Sequence, residues 1–204
     1  MTNVAVIYYS STGHVHTLAE SAAAAAEKAG AEVRLRRVPE TAAEATAATG
    51  PEGAEQLAAD GAAVARVEDL DWADVILFGT PTRFGLPAAQ LKAFIDSTGE
   101  LWRKGRLVNK VVSSFTSTST SHGGQESTLL ALNNTFYHWG AIIVPPGYAD
   151  PVQFATDNGN PYGTSHVSHG GTTPPGEENL GAIEFQARRA VEIATALKTG
   201  LQAA

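Results

Sequence analysis

The chain begins with a short, uninterrupted apolar run that leads directly into a polar turn. Residues 4–9 read Val-Ala-Val-Ile-Tyr-Tyr, and Ser-Ser-Thr-Gly-His follows at 10–14. A run of this kind is typical of a parallel strand buried on both faces. The turn after it leaves free main-chain N–H groups at the start of the next helix, where proteins bind phosphate. An ordinary helix-capping turn explains the same hydroxyls equally well, so this motif alone leaves both interpretations open.

The turn lacks the two common signatures of nucleotide binding. It has neither the glycine spacing of a dinucleotide-binding loop nor the lysine of a P-loop. The pattern therefore favours a monophosphate over a dinucleotide or a nucleoside triphosphate.

Composition excludes several classes of protein. The 204 residues are 43% apolar and carry a net charge of −7, which argues against general binding of nucleic acid or anionic lipid. The chain has no cysteine, so redox chemistry requires a bound cofactor. No apolar run is long enough to span a bilayer and no signal-like region precedes the first strand, so we expect a cytoplasmic protein.

Strand-like and helix-like segments alternate along the chain. After the opening run, strands are predicted at 31–38, 74–79, 109–115 and 141–144. Helices are predicted from Val15 to a stop at Gly30, from a first-turn proline at Pro87, over 125–138 and over 180–197. Five strands with crossovers indicate an α/β fold with a doubly wound parallel sheet and helices on both faces.

Two segments do not fit this alternation. Residues 39–71 are rich in Ala, Glu and Thr with scattered glycines, which predicts an excursion containing weak helix rather than another sheet layer. Residues 150–178 are too long for a routine connection, which indicates a functional loop or a subunit contact. We expect one domain over 1–204 with insertions at these two places.

Ligands of such sheets bind outside the carboxyl ends of the strands. The loops predicted there, 79–85 and 116–124, are dense in hydroxyls and glycines. Together with the first turn, they suit a flat polar ligand that carries a phosphate tail.

Four motifs in these regions resemble a known family. They are Tyr-Tyr-Ser-x-x-Gly-His at 8–14, Gly-Thr-Pro-Thr-Arg-Phe-Gly at 79–85, Gly-Gly-Gln-Glu at 123–126 and Pro-x-Gly-Tyr at 145–148. In this order and at similar spacings, they resemble the WrbA family of flavodoxin-like NAD(P)H:quinone oxidoreductases. The resemblance implies a flavodoxin-like sheet of order 2-1-3-4-5. Some members of the family carry a tyrosine where this chain has Thr12.

The resemblance also implies FMN as cofactor and assigns its contacts. The implied cofactor-binding residues are Ser10, Ser11, Thr12, Gly13, His14, Val15, Thr82, Arg83, Phe84, Ser117, Thr118, Ser119, Thr120, Gly123 and His138. The implied catalytic residues are Trp102 as a substrate wall, Arg83 beside the charge of the reduced flavin, and His138 as a proton source for the reduced quinone. Without the family, Trp102 is typical of a packing or interface aromatic, Arg83 of a solvated cation and His138 of a helix terminus.

The function that follows is two-electron reduction of a quinone by NADH or NADPH with ping-pong kinetics, in a homotetramer (a dimer of dimers) whose active site is completed between subunits. A single-electron carrier of the flavodoxin type is the alternative, and a flavin-free interaction protein is the third possibility. No metal site is predicted, because His14 and His16 do not share a helix face and His166 and His169 are expected in a solvated loop.

Overall fold

The parallel sheet has the predicted strand order. The computed structural model describes residues 1–40 and 62–203. Its principal strands are β1 (Asn3–Tyr8), β2 (Glu32–Arg37), β4 (Val75–Arg83), β6 (Val111–Thr118) and β7 (Ile142–Ile143). They pair in parallel in the order β2-β1-β4-β6-β7, which confirms the expected flavodoxin-like sheet.

Three shorter strands extend the sheet beyond the prediction. They are β3 (Ala63–Val64), β5 (Leu86–Pro87) and β8 (Ser165–Val167). The excursion predicted over 39–71 does contain a short helix at Val67–Trp72, but β3 also pairs with the end of β2, so this part adds a strand to the sheet that was not predicted. Residues 41–61 of that excursion lie outside the described residues. The role predicted for Pro87 is also corrected, since this residue pairs with Thr82 in an antiparallel ribbon and the helix begins at Ala89.

Helices cover both faces of the sheet. They are α1 (His14–Lys28), α2 (Val67–Trp72), α3 (Ala89–Asp96), α4 (Gly99–Arg103), α5 (Gln125–Trp139) and α6 (Glu177–Ala203). Side chains of β1 alternate between the two layers: Val4 and Val6 pack with α1 and α6, whereas Ala5 and Ile7 pack with α3 and α5. This burial on both faces explains the continuous apolar run at the start of the chain.

The fifth strand position is divided between two segments. β7 pairs with the beginning of β6 at Val111 and Val112, and β8 pairs with its end at residues 116–118. Between them, the buried side chain of Gln186 donates hydrogen bonds to the hydroxyl of Ser113 (2.7 Å) and the carbonyl of Ser114 (2.8 Å). The same amide accepts from the main-chain N–H of Thr164 at 2.8 Å. A side chain of α6 therefore satisfies the strand edge where no neighbouring strand does.

Among the described residues, no helix combines the length and the apolar character needed to cross a membrane. The cytoplasmic location and the single-domain organisation stay predictions.

Candidate cofactor site

The turn after β1 presents the start of α1 to the carboxyl edge of the sheet. Gly13 is the residue before the helix and adopts the left-handed conformation (φ 86°), which favours glycine. A Cβ at this position would meet no atom within 4 Å, so the space beside the turn is open. Gly13 has no side chain to cap the first turn of the helix, whose N–H groups point out of the helix end.

The hydroxyls of Ser10 and Thr12 bond to groups other than the main-chain N–H groups of the helix. The Oγ of Ser10 accepts from the N–H of Gly13 at 3.1 Å, and the Oγ1 of Thr12 bonds to Nδ1 of His14 at 2.8 Å. Neither hydroxyl takes the N–H groups of the first helical turn in these bonds. This arrangement favours the anion-binding interpretation over the capping one.

A cavity of about 140 Å³ lies over this turn and is called the cradle below. Its lining residues that the sequence predicted are Ser10, Ser11, Thr12, His14, Val15, Thr82, Arg83, Ser117, Thr118 and Ser119. Its lining residues that the sequence missed are Pro81, Ser168, Gly170 and Gly171. Among the described residues of the lining, the guanidinium of Arg83 is the one group with a permanent charge. The cradle is therefore rich in hydroxyls and cationic, although the whole chain is acidic.

Arg83 connects two of the three predicted loops. Its Nη2 donates to the Oγ of Ser11 at 3.1 Å, and its Nη1 donates to the carbonyl of Thr82 at 3.2 Å. The side chain is exposed, so it lies at the mouth of the cradle rather than within it. Two of the lining segments expected to be loops are strand ends, because β4 continues to Arg83 and β6 continues to Thr118.

The far wall of the cradle comes from the segment that follows β8. The N–H of Ser168 donates to the carbonyl of Thr118 at 2.8 Å, and the N–H of Gly170 donates to the carbonyl of Ser119 at 3.0 Å. These bonds hold residues 168–171 against the end of β6. Part of the predicted insertion at 150–178 therefore lines the cradle.

Two imidazoles stack behind the cradle. The rings of His14 and His166 lie 5.2 Å apart between centroids at 26°. Burial lowers the pKa of His14, and burial together with the charge of His14 lowers the pKa of His166 to about 4. The solvated loop predicted for His166 is wrong, because this residue lies in β8 and is only 2% exposed, whereas His169 is exposed.

Four predicted cofactor residues near the cradle do not line it. Gly13 and Gly123 have no side chain to line it, and a Cβ on Gly123 would lie 2.8 Å from Cβ of Thr118. Thr120 is exposed, and its carbonyl accepts from Oγ1 of Thr118 at 2.9 Å. Phe84 is fully exposed and has a positive φ of 54°. Its ring therefore stands outside the cradle, beside Arg83.

Trp102 and His138 lie at a different part of the molecule. Nε1 of Trp102 donates to the carbonyl of His138 at 2.9 Å, and both residues line a cavity of about 330 Å³ that shares no lining residue with the cradle. α5 begins with Gln125 at the carboxyl edge, so His138 lies about 20 Å further along the helix at about 1.5 Å per residue. Within one chain, Arg83 therefore lies at the cradle while Trp102 and His138 lie elsewhere, so the three predicted catalytic residues do not meet.

The comparisons with known proteins agree with this geometry. The family of NADPH-dependent FMN reductases matches residues 2–154. The chain belongs to this family. A protein of Sinorhizobium fredii named NAD(P)H dehydrogenase (quinone) is 45% identical over 97% of this chain and 99% of its own length. A protein of the same name from Paracoccus denitrificans is also 45% identical, over 98% of this chain and 97% of its own length.

A solved structure extends the match to three dimensions. The crystal structure of a WrbA-like flavodoxin from Agrobacterium tumefaciens has a TM-score of 0.68 and 25% identity to this protein. It covers 96% of this chain, which covers 99% of that one. Together with the curated relatives, this match confirms the WrbA resemblance drawn from the motifs. Membership of the family also identifies the protein as a flavin-binding oxidoreductase.

Proposed function

We propose that the protein is an FMN-dependent NAD(P)H:quinone oxidoreductase that transfers two electrons at a time. The observation that carries the proposal is the cradle, where a helix start, several hydroxyls and Arg83 converge on one small cavity. The names of the full-length relatives give the donor and acceptor classes. Because both substrates would use the same face of the cofactor in turn, we expect ping-pong kinetics.

The residues of the cradle fit the phosphate end of FMN. The open space beside Gly13 lets an anion approach the N–H groups at the start of α1, where the positive end of the helix dipole lies. Ser11, Thr12 and Ser117 supply hydroxyls, and Arg83 supplies positive charge. The volume of about 140 Å³ is below the roughly 300 Å³ at which pockets begin to enclose whole small ligands, so the ring system would extend outward.

Residues beside the cradle would then orient the ring. Phe84 presents an exposed aromatic face next to Arg83, which suits stacking on a planar ring. The guanidinium of Arg83 would stabilise negative charge on the reduced ring. When bound, FMN supplies the chemistry of accepting a hydride from NAD(P)H and delivering it to a quinone.

The second wall of the substrate site would come from another subunit. Trp102 is 54% exposed and His138 is exposed, which leaves both available to a neighbouring chain. We propose a homotetramer in which these residues approach the cradle of a neighbour, so that Trp102 covers the substrate and His138 holds a proton for the quinone oxygen. The exposed aromatic ring of Trp102 supports this assembly, because exposed aromatic rings are common at contacts between subunits.

Anaerobic absorbance spectroscopy of the FMN-loaded protein tests the proposal. Addition of NADH or NADPH should bleach the flavin fully, and benzoquinone should restore the colour within the mixing time. Electron paramagnetic resonance during stepwise reduction should detect no accumulating flavin radical. A stable radical with no response to either nicotinamide would instead identify a single-electron carrier, and failure to bind FMN would contradict the assignment of the cradle.

A further inference from the structure

His166 is a buried polar residue that touches the cradle from behind. Its Nδ1 lies 2.9 Å from Oγ of Ser117, and its ring stacks on the ring of His14. Ser117 and His14 both line the cradle, whereas His166 lines a separate cavity of about 400 Å³. The imidazole therefore stands between the two cavities and contacts two walls of the smaller one.

These contacts join parts of the cradle that are distant in the sequence. His14 is itself bonded to Oγ1 of Thr12, so one series of contacts leads from the turn after β1 to the end of β6. Ser117, His14 and His166 are all more than nine-tenths buried. In such an environment, a hydrogen bond and a ring stack restrict each side chain to one orientation.

The imidazole of His166 is a polar group in a buried position. Main-chain groups of Thr173 and Pro174 lie near it, but its Nε2 has no hydrogen bond of good geometry with any described residue. Burying a polar ring costs free energy that an aliphatic residue would avoid. The ring is therefore better explained by its contacts with Ser117 and His14 than by core filling.

We propose that His166 is a positioning residue for the phosphate end of the flavin, and that it acts by holding the hydroxyl of Ser117 and the ring of His14 in their binding orientations. The inference rests on the proposed function, because it requires FMN phosphate in the cradle. It assigns to β8 a part in cofactor selection: His166 should favour flavins that carry a phosphate over flavins that lack one.

Two substitutions separate the two contacts. His166→Phe keeps a ring over His14 and removes the bond to Ser117, whereas His166→Asn keeps a polar group and removes the ring. The matched control is His122→Asn, which changes an exposed histidine that lines neither of the two cavities. Dissociation constants for FMN and riboflavin are measured by quenching of flavin fluorescence, and circular dichroism verifies that each variant is folded.

We expect both His166 variants to bind FMN roughly five- to tenfold more weakly, the size of one lost contact, and to bind riboflavin within about twofold of the wild type. His122→Asn should change neither constant by more than about twofold. If both constants weaken together, or if neither changes, His166 has no phosphate-specific role and the inference is wrong. If wild-type protein binds riboflavin as tightly as FMN, the cradle is not a phosphate site, and the proposed function fails with the inference.

A double-mutant cycle provides a second test that does not depend on one variant. Ser117→Ala removes the hydroxyl that His166→Phe leaves without its partner. If His166 acts through this hydroxyl, the double variant should bind FMN no more weakly than the weaker of the two single variants. Fully additive losses would overturn this part of the inference.

Discussion

The two edges of the sheet are built from opposite ends of the same helices. At the carboxyl edge, the start of α1 faces the cradle with main-chain N–H groups. At the amino edge, helix ends present carbonyls, which accept from Nε1 of Trp102 and from Nζ of Lys110. The first edge encloses a polar cavity whose walls are bonded within one chain, whereas the second exposes a tryptophan. Within one chain the proposed anion site is therefore more complete than the proposed aromatic wall.

The difference follows from the direction of the helices. In a parallel sheet with crossovers, every helix runs back towards the amino edge, so donors gather at one edge and acceptors at the other. A negatively charged ligand group is therefore favoured at the carboxyl edge alone.

Substitution of a glycine at each edge should give the largest contrast in stability. A Cβ at Gly163, just before β8, would lie 2.1 Å from the carbonyl oxygen of Ser114, so Gly163→Ala must displace β8 from β6. We expect the free energy of unfolding to fall by at least about 3 kcal/mol. At the amino edge, a Cβ at Gly99 would meet no atom within 4 Å, so Gly99→Ala should change stability by less than about 0.5 kcal/mol.

Urea denaturation measures both free energies. FMN binding should weaken in Gly163→Ala, because β8 leads into the far wall of the cradle, and it should be unchanged in Gly99→Ala. Equal stability of the two variants would contradict the close packing of this segment against β6.

Lowering the pH should reduce the free energy of unfolding through the buried imidazole of His166, which lies at the carboxyl edge. The pKa of His166 is about 4 in the folded protein and near 6.5 in an unfolded chain, so the unfolded chain binds the extra proton between these values. The free energy of unfolding should therefore fall as pH is lowered from 6.5 to 4, by at most about 3 kcal/mol from this group. His14, whose pKa is also lowered by burial, acts in the same direction.

Urea denaturation at a series of pH values checks this expectation. His166→Phe lacks the titrating group, and the carboxylates common to both proteins cancel in the difference between the two curves. The difference should lie almost entirely between pH 4 and 6.5. Parallel curves for the two proteins would show that His166 does not titrate with a lowered pKa.

A small effect on stability, with a larger effect on turnover, is expected from substitution of Trp102 at the amino edge. Trp102→Ala removes an exposed ring and one hydrogen bond, so the free energy of unfolding should change by less than about 1 kcal/mol. If Trp102 covers the substrate of a neighbouring subunit, quinone turnover should fall about tenfold while the dissociation constant of FMN stays within about twofold.

Trp102→Phe is the matched control, since it keeps an aromatic face and should retain most of the turnover. Size-exclusion chromatography of each variant separates loss of the wall from loss of the tetramer. Unchanged turnover in Trp102→Ala would remove this residue from the substrate site.

The sequence predicted the parts of the fold that depend on apolar patterning. The opening run and the five principal strands were accessible because buried parallel strands are continuously apolar, whereas their order came from the family resemblance. The extension of β4 to Arg83 and of β6 to Thr118 was not accessible, because polar residues at a strand end carry no such pattern. For the same reason β8 was not predicted. Its residues Ser165–Val167 lie among glycines and hydroxyl-bearing residues and form a strand because they pair with β6.

The residues of the candidate site also divide into those that the sequence could predict and those that it could not. The turn at 10–15 was recognisable as a candidate because it follows a buried strand and opens a helix, and it lies on the cradle. The burial of His166 depends on pairing with residues about 50 positions earlier, which local sequence does not encode. The separation of His138 from the cradle, in contrast, follows from the direction of α5 alone.

The divided fifth strand has a consequence for the order in which the molecule matures. β1, β4 and β6 can pair before the ribosome has made residues 165–171, but the cradle has no far wall until that segment joins β6. Such long-range pairing is among the later events in folding. A cofactor that binds in the cradle would therefore load onto a nearly complete chain, and a truncated product without residues 165–171 should hold it less tightly.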